Sequence, residues 1–108
     1  MRTYLLRVSY SSAGTAGVLA EGDTARRRTI ERLVAGLGGS IEAWYYAFGD
    51  DDLIIIVKAP GDVEIAALNL RVIASGAAKI HTTVLLTGEQ IDEASKKNVD
   101  FHPPGAMS

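Results

Sequence analysis

The hydrophobic pattern of this chain switches repeatedly between strict alternation and helical spacing. The order of those switches limits its possible folds more than any single motif does. Residues 4–10 place Tyr4, Leu6, Val8 and Tyr10 on one side and Leu5, Arg7 and Ser9 on the other, which is the pattern of a half-buried strand. Ser11, Ser12, Ala13 and Gly14 read as a turn, and the small residues 15–22 as a single helical turn ending at Gly22. Asp23 or Thr24 then caps a helix in which Ile30, Leu33, Val34 and Leu37 recur at helical spacing until Gly38 and Gly39 stop it. Residues 40–48 form a second strand, whose alternation separates Ile41, Ala43, Tyr45 and Ala47 from Glu42, Trp44, Tyr46 and Phe48. A turn at Gly49, Asp50, Asp51 and Asp52 leads into a β-branched strand over 53–58, so the two strands pair as a hairpin. Pro60, Gly61 and Asp62 break the chain and cap a second helix. Its main stripe is Val63, Ala66, Ala67, Leu70, Ile73 and Ala74, with a second apolar line at Ile65, Leu68 and Val72, and Gly76 ends it. Residues 79–86 are a fourth strand, with His81, Thr83 and Leu85 on one face. Thr87 starts a short polar helix running to about residue 97, and residues 98–108, with Pro103 and Pro104, are an extended tail.

The order strand, helix, strand, strand, helix, strand predicts an α+β fold, a ferredoxin-like β-α-β-β-α-β sandwich. Its antiparallel four-stranded sheet has spatial order 4-1-3-2, with both helices on one face. The other face is left bare. Alternation puts Leu5, Arg7, Ser9, Ile54, Ile56, Lys58, His81, Thr83 and Leu85 there, joined by Trp44, Tyr46 and Phe48. So apolar a surface marks an interface or a ligand groove. A homo-oligomer is therefore expected, a dimer above all, with Leu5, Trp44, Tyr46, Ile54, Ile56 and Leu85 at the contact. The first strand is expected to run parallel to the third and antiparallel to the fourth. That would gather Arg7, Lys58 and His81 at one end of the sheet as a site for a small anionic or aromatic ligand, unless solvent or an acid of another subunit, such as its Glu42, satisfies them.

With 108 residues the chain supports one core, so residues 1–97 are read as one domain and 98–108 as its tail. No cysteine is present, which removes disulfides, thiol nucleophiles and zinc–thiolate sites and fits a reducing compartment. There is no apolar run long enough to span a membrane and no signal-peptide pattern at the start, so a cytoplasmic protein is expected. A net charge of −2 argues against a general nucleic-acid binder. Charge is uneven, however: residues 1–39 carry six arginines against Glu21, Asp23 and Glu31, giving +3. Residues 40–62 carry five acids against Lys58, giving −4. Such asymmetry helps identical subunits meet in register.

Arg26 lies four residues before Ile30 on the same helical stripe, near a helix start where backbone amides favour anions. It is a candidate anchor for a carboxylate or phosphate, and its stem can equally lie over the core. Asp50, Asp51 and Asp52 lack the spaced acids of a calcium loop and read as a solvated turn, with Asp52 bonding local backbone amides. His81 is the one histidine inside a predicted element, placed as a general base or as part of an interface. No metal or cofactor is expected.

Taken together, residues 4–10, the segment Glu21-Gly22-Asp23-Thr24-Ala25-Arg26-Arg27-Arg28, the block Leu37-Gly38-Gly39, the run Ala47-Phe48-Gly49-Asp50-Asp51-Asp52-Leu53 and the stretch Thr83-Val84-Leu85-Leu86-Thr87 resemble the GYD domain family of small bacterial proteins. The likeness covers residues 4–97. Where the family often has Gly-x-Tyr-Asp, this chain has Asp51 in place of the tyrosine, so no role of that tyrosine carries over. The resemblance implies a ferredoxin-like fold related to the dimeric α+β barrels, in which bare sheet faces pack together, and it supplies no catalytic residues. Function is thus expected to be that of an oligomeric small-molecule-binding or interaction domain. The alternative is a cofactor-independent enzyme of the dimeric barrel type, isomerase or oxygenase-like, with His81 as base and Arg7 or Arg26 holding an anionic substrate. An RNA-recognition module shares the topology but displays aromatics on its third strand, and residues 53–57 have none.

Overall fold

Alternation along β1 (Arg2–Tyr10) buries Tyr4, Leu6 and Val8 and leaves Leu5, Arg7 and Ser9 on the opposite face, as the sequence predicts. The computed structural model describes residues 1–105. After β1 come α1 (Ser12–Gly36), β2 (Ser40–Tyr46), β3 (Leu53–Ala59), α2 (Asp62–Ala74), β4 (Ala78–Leu85) and α3 (Gly88–Ser95). The four strands form one open sheet in the order β2-β3-β1-β4, the expected arrangement. Every ladder is antiparallel, including β1 with β3. The expected parallel pairing of the first and third strands is therefore wrong. The hairpin turns β3 against β2, which runs the same way as β1, so β3 must oppose β1.

Core side chains lie between the sheet and α1 and α2, with Leu6, Val34, Leu53, Ile55, Val57 and Leu68 among the most buried. Two helical faces differ from the sequence reading. In α2 the line Ile65, Leu68 and Val72 meets the sheet, whereas Val63, Leu70 and Ile73 of the expected main stripe are exposed. Both lines are apolar, and which of them meets the sheet is decided by tertiary packing rather than by the pattern of α2 alone. Residues 12–21 form a helix rather than a single turn. Ser11 caps it by accepting from the Gly14 amide at 3.1 Å. Gly14 sits so close to the next layer that a Cβ would overlap the Ala77 carbonyl oxygen. At Gly22, φ of 76° bends α1 before its second half continues to Gly36.

A third difference lies in β2. Ile41 pairs with Val57 and Ala43 with Ile56, so Glu42 is an extra residue, a β-bulge. The bulge reverses the parity downstream: Trp44 pairs with Ile55 and Tyr46 with Leu53, both on the helix side. Trp44 is 8% exposed within the core, and Tyr46 faces the same side. Neither belongs to the bare face, where β2 instead places Tyr45, beside Ile54 and 70% exposed. Phe48 lies beyond the strand and is fully exposed.

Among the described residues, no core residue lies beyond Ile80. Residues 86–105, α3 included, are exposed and extend the molecule to 62 Å along its long axis against 30 and 23 Å across. Residues 106–108 of the expected tail lie outside the described residues. Among the described residues no helix is long and apolar enough to cross a membrane.

Candidate functional site

The antiparallel register disperses the cations expected to converge. Arg7 pairs with Ile54 on one side and His81 on the other, but Lys58 pairs with Thr3, four residues and about 13 Å further along β1. Each of the longer cations has an acid from its own chain. Arg7 Nη1 lies 3.5 Å from Asp51 Oδ2, and Lys58 Nζ lies 3.2 Å from Glu42 Oε1 across the hairpin. His81 is exposed on the open sheet face, and none of the cavities described below is lined by it. Asp52 ties the hairpin turn to β1 rather than to its own neighbours. Its Oδ2 accepts from the Tyr10 amide at 2.8 Å, and its amide donates to the Val8 carbonyl at 2.8 Å.

Arg26 has a different setting. Its side chain is 24% exposed and descends between α1 and α2, where the Nε–H is buried without a hydrogen-bond partner. Nη1 lies 3.8 Å from Glu21 Oε2, too far for a hydrogen bond. A cavity of about 40 Å³ adjoins it, floored by Val8, Leu53 and Ile55 and walled by Tyr10, Ile30 and Val72. A second space of about 190 Å³ shares Arg26, Ile30, Val72 and Ala77 with the first and opens between the helices past Thr29, Leu33 and Ser75. The Tyr10 phenol is pushed up from its ordinary value, by burial first, while the nearby Arg26 charge acts in the opposite direction.

Behind Arg26 the bend at Gly22 brings Asp23 onto β2. Trp44 Nε1 donates to Asp23 Oδ1 at 2.9 Å, the Trp44 and Tyr46 rings meet edge to face at 6.3 Å, and the Arg27 guanidinium lies 5.9 Å from the indole centroid. The Tyr46 phenol is pushed up to about 12, by burial first and by the Asp23 carboxylate second. A raised folded-state value means the protonated phenol stabilises the fold, fully below about pH 10 and progressively less as pH rises toward 12. Melting temperature is therefore expected to fall across that window. Tyr46→Phe should reduce the fall, whereas an unchanged profile would mean that Tyr46 ionises without cost to the fold.

The sequence placed Arg26 on the right stripe but did not associate it with Tyr10, Asp23 and Tyr46. Tyr10 was legible, since it shares the buried parity of Leu6 and Val8. Tyr46 was hidden by the bulge, and Asp23 was read only as a cap. The family model for the GYD domain matches residues 4–95, from the first core residue of β1 to the end of α3. The chain belongs to the GYD domain family. It matches no curated protein and no solved structure. In this GYD domain, Asp51 is the partner of Arg7 and lies on the sheet-face side, away from the Arg26 cleft.

Proposed function

We propose that this GYD domain is a homo-oligomeric binding domain for a small anion with an apolar body, held in the cleft between α1 and α2. The observation that carries this reading is Arg26, a guanidinium with a buried, unpartnered Nε–H beside a cavity that is apolar apart from the Tyr10 phenol. A buried donor without an acceptor costs about 1–3 kcal/mol, and a ligand carboxylate removes that penalty with a charge-assisted bond. The walls at Ile30, Leu33 and Val72 suit a compact aryl or alkyl group, and the space of about 190 Å³ above Arg26 gives it an entrance. Assembly through the sheet face is the second part of the reading. Leu5, Ile54, Ile56 and Leu85 are partly exposed on the face that, among the described residues, no helix covers.

A thermal-shift series with benzoate and short alkanoates up to about 10 mM tests the cleft. The wild type is expected to gain about 5 °C or more near saturation, and Arg26→Gln to gain nothing. Stabilisation that persists in Arg26→Gln, or none in the wild type, refutes the assignment.

A further inference from the structure

We propose that residues 86–105, with α3 at their centre, are an arm that packs on a second copy of this chain and carries the sheet-face contact beyond the end of the sheet. This inference rests on the proposed pairing of sheet faces.

The chain specifies α3 locally. The Thr87 hydroxyl accepts from the Gln90 amide at 3.1 Å while the Gln90 side chain accepts from the Thr87 amide at 2.8 Å, a complete capping box. Yet α3 has eight residues and none is buried. Isolated helices shorter than about 12 residues are marginal in water even with favourable ends, so such a helix persists by packing an apolar face on something else. Among the described residues, its own chain does not bury that face. Leu86 is 57% exposed, Ile91 53%, Val99 75% and Phe101 70%. The radius of gyration of 17.7 Å, against about 13 Å for a compact chain of this length, reflects the same projection.

Area points to the occupant. A sheet of four strands about 4.8 Å apart and about seven residues long has a footprint of roughly 450 Å², whereas a stable interface buries about 800 Å² on each partner. The arm begins at the rim of that face. Leu85, the last residue of β4, pairs with Thr3 and lies on the open side with Leu5 and Ile56. A second copy seated on the face therefore lies next to the root of the arm, and Leu86, Ile91 and Phe101 supply the apolar area that the sheet lacks.

The test uses full-length wild type, Ile91→Asp and Ile56→Asp proteins. Subunit mass is followed by light scattering over a dilution series, and α3 amides by hydrogen exchange. The expected result is a wild-type dimer whose α3 amides are protected and lose protection on dilution, with Ile91→Asp raising the dissociation constant by at least about tenfold and abolishing the protection. A wild-type dimer with unprotected α3 amides, or an unchanged dissociation constant in Ile91→Asp, overturns the arm and leaves the sheet-face reading standing. A dimer that survives Ile56→Asp but not Ile91→Asp keeps the arm as an inter-chain element and removes the sheet face. A wild type that is monomeric at about 100 μM overturns both, and concentration-independent protection of α3 would then place the arm on its own chain or on a different partner.

Discussion

Trp44→Ala protein is expected to melt about 12–25 °C below the wild type. The indole is 8% exposed, sits opposite Ile55 in the ladder and fills the space between β2 and the second half of α1. Truncating a buried tryptophan to alanine costs about 3–5 kcal/mol, and a domain of this size loses roughly 4–5 °C per kcal/mol. Such a loss is a large part of the total stability of a small domain, about 5–15 kcal/mol. The truncation also removes the donor to Asp23 Oδ1 and the surface beneath Arg27, so the start of the helix after Gly22 loses its attachment to the sheet. Trp44→Phe separates the contributions. It keeps most of the ring area and drops only the N–H bond, for an expected cost near 1 kcal/mol. The outcome also decides the orientation of β2. A loss below about 5 °C for Trp44→Ala would mean that the indole faces the open side, as simple alternation along residues 40–48 predicts.

What could be read from the chain and what could not divides along physical lines. β1 and β3 alternate without interruption, so their faces follow from period two alone, and Ile55, Val57 and Leu6 lie where that pattern puts them. In β2 the pattern fails because a bulge at Glu42 leaves no mark on composition, while everything after it changes face. The helix over residues 12–21 carries no apolar stripe. It rests on a serine cap and on the fit of Gly14 against Ala77, a contact distant in sequence. For the candidate site, the stripe shared with Ile30 pointed Arg26 toward the sheet, but the lack of an acceptor for its Nε–H depends on three elements meeting around it. For Arg7 and Lys58 the sequence allowed an acidic partner but not one from the same chain. Asp51 in the hairpin turn and Glu42 at the bulge reach them only once the strands are paired.

Ile56→Asp is expected to convert the assembly into monomers, raising its dissociation constant by at least about 100-fold. Ile56 is central on the open face, between Leu5 on β1 and Ala43 on β2, on an interior strand of the sheet. In a two-fold contact the same patch meets itself, so each substitution enters the interface twice. An uncompensated carboxylate at the centre of a dry contact costs several kcal/mol, and each 1.4 kcal/mol is a factor of ten in affinity. The fold itself should survive, because Ile56 points away from the core that its neighbours Ile55 and Val57 enter. A nearby charge does not rescue the variant at this position. Lys58 is the nearest cation on β3, and Glu42 already occupies it at 3.2 Å. Charges at the edge of the face behave differently: Lys58 and Glu42 are each nearly half exposed, and such pairs contribute about 0–1 kcal/mol. Glu42→Gln is therefore expected to shift the dissociation constant by less than about tenfold and to change mainly its salt dependence. Sedimentation velocity on the three proteins at matched concentration reads these outcomes directly. An Ile56→Asp protein that remains folded and keeps the wild-type mass would place the contact elsewhere. The exposed line Val63, Leu70 and Ile73 on α2 would then be the next surface to test.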